Sequence, residues 1–271
     1  MAVLTLDLYS YELGMNNQVT MILPERRGVP VTERNGKPYP VLYLLHGHSQ
    51  DHTSWLRLTR IEYYLKDTDV IVVMPNGNRG CFVDGLHTHK YGRYLTEELP
   101  KTLKNWFNIS TRREDTFISG FSMGGYGALR AAYSHPEKYA AVAALSPGID
   151  MHNLAAIMPP DAPERGIAFP PEPEINRNFT EIFGDDEVYF GSENDLKHLA
   201  KKLQIAGEKE LRTLCLCGDR DPLIEMNDDF AQFMSSECPD LPFEYIVNDG
   251  IHNFDYWDRE VITALRFFKL I

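Results

Sequence analysis

A serine flanked by glycines, two aspartates sharing one turn and a histidine near the C-terminus are the residues of this chain whose types and order could do chemistry. Gly120-Phe121-Ser122-Met123-Gly124 follows the run Thr116-Phe117-Ile118-Ser119 and opens the helical pattern Gly124-Gly125-Tyr126-Gly127-Ala128-Leu129-Arg130. On a strand-turn-helix, G-x-S-x-G makes a turn so tight that its flanks need glycine, and it holds the serine out above the sheet as a nucleophile. A serine hydroxyl at its ordinary pKa is a poor nucleophile. A base must therefore lie within hydrogen-bond reach, and a third group must orient that base. The chain supplies both after the serine, in the order Ser, Asp, His.

The acid is expected on Gly218-Asp219-Arg220-Asp221-Pro222, the turn after the run Leu211 to Cys217. Asp219 and Asp221 compete there, because only one can reach the histidine's second nitrogen. Asp221 is favoured, with Asp219 as a turn-forming or capping carboxylate, but spacing alone leaves both open. The base is expected on Asn248-Asp249-Gly250-Ile251-His252, after the run Phe243 to Val247 and before the last helix. Of the nine histidines, His252 alone has that place; His135 at a His-Pro step and His198 in an amphipathic helix read as solvated or capping groups. His87 and His89 form an H-x-H pair, yet no third ligand accompanies them at a recognisable spacing, so no metal is expected. A tetrahedral oxyanion needs two backbone N–H donors, expected from Met123, the residue after the nucleophile, and from His48 in the loop His46-Gly47-His48-Ser49. The side chains of His46 and Trp55 are expected to line the substrate pocket.

Those residues must be carried by a sheet. Val41 to Leu45, Val70 to Met74, Thr116 to Ser119, Ala140 to Leu145, Leu211 to Cys217 and Phe243 to Val247 each read as strands apolar on both faces, as central parallel strands are. Patterns of helical period lie between them at Trp55 to Leu65, Glu97 to Phe107, Gly124 to Ser134, Leu196 to Gln204 and Asp228 to Ser236, with a closing helix from Asp255 to Leu270. Val3 to Tyr9 and Gln18 to Leu23 alternate like an antiparallel hairpin, and the polar segment Pro24 to Pro40 precedes the first central strand. The prolines of Met158-Pro159-Pro160, Pro163 and Phe169-Pro170-Pro171-Glu172-Pro173 should forbid a long helix or strand between Asp150 and Asp195. That segment reads as a lid-like insertion over the sheet's C-terminal edge, within one domain spanning 1–271. The expected architecture is an α/β-hydrolase fold: a mostly parallel central sheet, antiparallel N-terminal strands and helices on both faces.

Composition narrows the partners. The 271 residues are 43% hydrophobic and 24% charged, which excludes a disordered or fibrous chain, and the length suits one sizeable α/β core. Twenty-seven Lys and Arg against 39 Asp and Glu leave a net charge of −12 with no basic cluster, so a nucleic-acid partner is not expected. No apolar stretch is long enough to cross a bilayer, and Asp7 and Glu12 interrupt what a signal peptide would need to keep apolar, so a cytoplasmic chain without a membrane partner is expected. Cys81, Cys215, Cys217 and Cys238 form no C-x-x-C pair and read as four reduced thiols.

With these residues in view, the sequence resembles the tributyrin-esterase-like branch of the esterase D and carbohydrate esterase group of α/β-hydrolases. The likeness runs through Tyr11 to Asn16, Ile22-Leu23-Pro24, Tyr43-Leu44-Leu45-His46-Gly47, Ser54-Trp55-Leu56, Val72 to Asn76, Glu97 to Pro100, Phe121 to Gly127 and Gly250 to Trp257. Its C-G-x-x-D turn maps onto Cys217 to Asp221 and favours Asp221. The resemblance implies a serine carboxylesterase acting on small-molecule short-chain acyl esters, acetyl to butyryl, including acetylated or feruloylated saccharides. It implies no cofactor, and relatives are often multimeric, so a homo-oligomer is an expectation. The rival readings are acyl transfer to a sugar or alcohol, an S-formylglutathione-type thioesterase, and an inactive binding protein on the same scaffold; the loop after His46-Gly47 lacks the pattern expected for the thioesterase. Two departures bear on pocket shape: Cys81 stands where an aromatic is more familiar, and His87-Thr88-His89-Lys90 is more basic than the corresponding stretch.

Overall fold

Runs of apolar and small residues, bounded by turns, cannot leave either face in water, and the chain answers by stacking them side by side. The computed structural model describes residues 1–25, 36–152, 154–167 and 174–271. Among them, β1 (Ala2–Ser10), β2 (Met15–Leu23), β3 (Val41–Leu45), β4 (Ile71–Pro75), β5 (Thr116–Phe121), β6 (Ala141–Leu145), β7 (Arg212–Gly218) and β8 (Phe243–Asn248) form one sheet in the order β1-β2-β4-β3-β5-β6-β7-β8. β1 pairs antiparallel with β2, and β2 with β4; the remaining pairings are parallel. Parallel strands put all their C-terminal ends on one edge, so the turns after β3, β5, β7 and β8 open on the same rim.

The helices are α1 (Ser54–Leu58), α2 (Ile61–Tyr64), α3 (Tyr91–Arg93), α4 (Leu99–Trp106), α5 (Met123–Ser134), α6 (Glu174–Phe183), α7 (Asp186–Tyr189), α8 (Leu196–Ala206), α9 (Ile224–Glu237) and α10 (Phe254–Phe267). They cover both faces. In β3, Val41, Tyr43 and Leu45 join one core, with Leu129 of α5 and Leu199 of α8, while Leu42 and Leu44 join the other, with Trp55 and with Trp257 and Val261 of α10. This period-2 division is what a strand buried on both sides requires. No helix of the described residues is long and apolar enough to cross a membrane. All four cysteines are buried and unpaired.

Four expectations need correction. β8 is not apolar on both faces: it is the sheet's edge, and Glu244 and Val247 are exposed. Trp55 to Leu65 is two short helices, because Thr59 turns to extended backbone (φ −135°, ψ 172°) while its hydroxyl donates to Trp55 O at 2.5 Å. The helix expected from Glu97 begins at Tyr91 and widens into a π-turn over Tyr94–Glu98; Pro100 has no N–H to offer Thr96 O, which accepts from Lys138 Nζ at 3.2 Å instead. Finally, the insertion does hold a ten-residue helix, α6, starting directly after Pro173. Phe169 to Pro173 and most of the polar segment after Pro24 lie outside the described residues.

Candidate active site

Ser122 sits between β5 and α5 with φ 55° and ψ −122°, a left-handed conformation that a non-glycine residue adopts only when its surroundings impose it. The imposition is steric. A Cβ on Gly120 would lie 2.5 Å from Gly124 O, and one on Gly124 would lie 2.5 Å from the carbonyl oxygens of Leu45 and His46. Only glycine on both flanks lets the elbow close against β3. Ser122 N–H donates to Leu145 O at 2.9 Å, which anchors the turn to β6.

His252 lies on the turn between β8 and α10, and Asp221 on the turn between β7 and α9. Asp221 is fully buried. Its carboxylate lies 2.8 Å (Oδ2) and 3.1 Å (Oδ1) from His252 Nδ1 and accepts Leu223 N–H at 2.9 Å. On the far side of the ring, His252 Nε2 lies 2.9 Å from Ser122 Oγ. With Nδ1–H donated to the carboxylate, Nε2 is left as the acceptor of the serine's proton. Asp219, the competing acid, is exposed and accepts Gly250 N–H at 3.0 Å, so it braces the two turns against each other and does not reach the imidazole.

A cavity of about 380 Å³ opens over this chain of bonds. Phe121, Phe254 and Trp257 form one apolar wall; Trp257 stacks on Phe121 at 4.2 Å between centroids and meets the His252 ring edge-on at 4.9 Å. Gly47, His48 and Ser49 line another side. Met123 is the first residue of α5, so its N–H is among the first-turn amides that have no partner within the helix.

Two side chains expected in the pocket are not there. His46 is 1% exposed; its Nδ1 lies 2.8 Å from its neighbour Gly47 O, and Nε2 accepts Gly77 N–H at 2.9 Å. It ties the loop after β3 to the loop after β4, and burial pulls its pKa down to about 4, leaving it neutral. Trp55 is equally buried, with Nε1–H donated to Leu45 O at 2.9 Å and its ring edge-on to Phe121. Both support the wall from behind. The His48 side chain leans outward over α6, with Nε2 3.4 Å from Asn178 Oδ1 and the ring 5.7 Å from Phe179. Burial, and then the charge of Arg79, lower its pKa to about 4. His87 and His89 join no group of three or more metal-ligating side chains among the described residues.

The insertion contributes residues that the motifs did not reveal. Met151, Leu154, Gly166 and Ile167 line the cavity. Arg165 donates from Nη2 to Asp221 O at 2.8 Å and from Nε to Arg220 O at 2.9 Å, while its own carbonyl accepts His252 N–H at 3.0 Å. One residue thus grips both the acid turn and the base turn. The only trace of it in sequence is an Arg-Gly step in a proline-rich stretch, which is too common to single out. Phe121 and Trp257 were within reach, since both lie inside the motifs quoted above.

Residues 10–268 match a family model described as "Putative esterase". An acetyl esterase of Caldicellulosiruptor saccharolyticus is 28% identical over 274 residues, spanning 100% of this chain and 99% of that protein. Among solved structures, the fluorophosphonate-binding serine hydrolase F of Staphylococcus aureus, with substrate bound, matches with a TM-score of 0.84 at 28% identity, over 98% of each chain. The S-formylglutathione hydrolase of the same organism, as apoenzyme, matches with a TM-score of 0.82 at 28% identity, again over 98% of each.

Proposed function

This chain belongs to that esterase family and is a carboxylic ester hydrolase of the α/β-hydrolase fold, and from that premise we propose that it cleaves short-chain acyl esters through an acyl-enzyme on Ser122. Ser122 Oγ attacks the ester carbonyl while His252 Nε2 takes its proton; the alcohol leaves with that proton, and water then deacylates the serine with His252 again as base. Asp221 keeps Nδ1 protonated and stabilises the imidazolium that forms. The amides of Met123 and His48 receive the oxyanion.

The observation that carries this reading is the unbroken relay Asp221 to His252 to Ser122, at 2.8 and 2.9 Å, on the floor of a lined cavity. At about 380 Å³ the cavity is at the small end of ligand pockets, which suits acetyl to butyryl groups on small alcohols or saccharides. Residues 150–195 serve as the substrate-facing wall of a single domain, a role supported by Met151, Leu154 and Ile167. The test is Ser122→Ala. Turnover of 4-nitrophenyl acetate should fall by about 10⁴-fold or more with the melting temperature unchanged, and near-normal turnover would refute the assignment. Rates across acetate, butyrate and octanoate esters check the acyl length, with the maximum expected at four carbons or fewer.

A further inference from the structure

We propose that Arg79 and the pocket it lines form an anion subsite beside the catalytic cavity, which takes the carboxylate of an acidic ester. The proposal rests on the esterase reading of Ser122, because that reading makes the neighbouring cavity a substrate site.

The pocket, about 220 Å³, is lined by Asn78, Arg79, Thr88, His89 and Asn178 among others, and none of its lining residues is acidic. Thr88 and His89 belong to the stretch His87-Thr88-His89-Lys90. Arg79 is the one arginine of the described residues with a buried guanidinium nitrogen that has no hydrogen-bond acceptor. Nine other arginines of the described residues each face a carboxylate at salt-bridge distance. Arg79 instead spends Nε–H on the neutral ring of His48, at 3.3 Å, and its Nη2 is buried without an acceptor among the described residues. Arg79 is half-buried and has no carboxylate of the described residues at salt-bridge distance, so its charge is left for an anion in the pocket it lines to answer, as no neutral ligand can.

The position is suited to substrate. His48 lines the cavity that holds Ser122, and the same ring accepts from Arg79; Asn178, on the pocket's wall, lies 3.4 Å from it. A carboxylate on Arg79 therefore stands one imidazole away from the scissile ester's cavity. Arg79 is a specificity residue in this scheme, and no bond is made or broken at it.

Two matched pairs of esters test the idea, with the charge on opposite sides of the scissile bond. 4-Acetoxybenzoate against 4-acetoxybenzamide carries it on the alcohol; mono-4-nitrophenyl succinate against 4-nitrophenyl butyrate carries it on the acyl group. Wild type should prefer the anionic member of one pair by about tenfold or more in kcat/KM, the yield of one charge-assisted hydrogen bond. Arg79→Gln should bring that ratio, taken between the two esters on the same variant, to about one, and Arg79→Lys should keep part of it. Raising salt on the wild type should lower the ratio without any substitution. A wild-type ratio at or below one in both pairs, or a ratio that survives Arg79→Gln, overturns the proposal. Loss of turnover of the neutral esters in Ser122→Ala is the separate check on the esterase reading, and it does not depend on Arg79.

Discussion

Gly166 is the point at which a single methyl group should disable the site without touching any reacting atom. Its φ is +105°, and a Cβ built there would stand 2.2 Å from His252 O and 2.8 Å from His252 C. Ordinary contact needs about 3.2 Å, so Gly166→Ala must part the two backbones by about 1 Å. The insertion cannot simply retreat, because Arg165 holds it to the acid turn by two hydrogen bonds and to His252 by a third. The displacement falls on the imidazole, whose 2.9 Å contact with Ser122 Oγ would stretch beyond hydrogen-bond length. A misplacement of about 1 Å in a reacting pair is worth on the order of 10²-fold in rate, or about 2.7 kcal/mol of barrier. Backbone strain adds about 1–3 kcal/mol to the loss of stability. Gly191→Ala separates the two effects, since Gly191 also has a positive φ, +78°, but nothing lies near its absent Cβ. Steady-state hydrolysis of 4-nitrophenyl acetate, alongside thermal melts, should show both variants destabilised and only Gly166→Ala slowed, in kcat more than in KM. A folded Gly166→Ala enzyme with kcat within about threefold of wild type would refute the reasoning.

Two further predictions follow from the same geometry. Asp221→Asn removes an acceptor that His252 Nδ1–H requires and favours the tautomer with Nε2 protonated, which cannot take the serine's proton; kcat should fall by about 10⁴-fold, whereas Asp219→Asn, at an exposed brace, should stay within about twofold. His46 stays neutral in the folded chain down to about pH 4, but its unfolded form takes a proton near 6.5. Between those values the unfolded state binds more protons, so this contribution is complete above about pH 6.5 and is lost as pH falls toward 4, by roughly 3 kcal/mol. Urea titrations at pH 7 and pH 5 should show His46→Gln with the shallower pH dependence, and an unchanged slope would remove His46 as the cause.

What could be read from sequence was the part determined locally. The elbow is legible because its constraint is carried within five residues: Gly120 and Gly124 meet each other and β3, so the motif states its own geometry. The turns that carry Asp221 and His252 were legible because each follows a strand that the parallel sheet must end on the same rim. Between Asp219 and Asp221 the sequence favoured Asp221, but spacing alone left both open. The choice depends on which carboxylate faces the core, and the fold decides it by burying Asp221 against Leu223 N–H and leaving Asp219 to Gly250. His46 and Trp55 were placed in the pocket for a related reason: nearness along the chain to a site does not say on which side of the loop a ring will lie. Both rings turn away from the cavity toward polar partners in the backbone, Gly77 N–H and Leu45 O.

The insertion shows where reading along the chain fails for physical reasons. Its prolines announce irregular backbone, and irregular backbone is held by contacts that follow no period. Arg165 meets residues 55 and 56 positions further on, and Gly166 abuts a carbonyl 86 positions away. These contacts join the wall of the cavity, Ile167, to the two turns that carry Asp221 and His252, so a movement of the wall should be felt at His252. Substrate choice and catalytic geometry are therefore coupled through one short turn, and substitutions in residues 161–167 should change kcat even where their side chains never meet the ester.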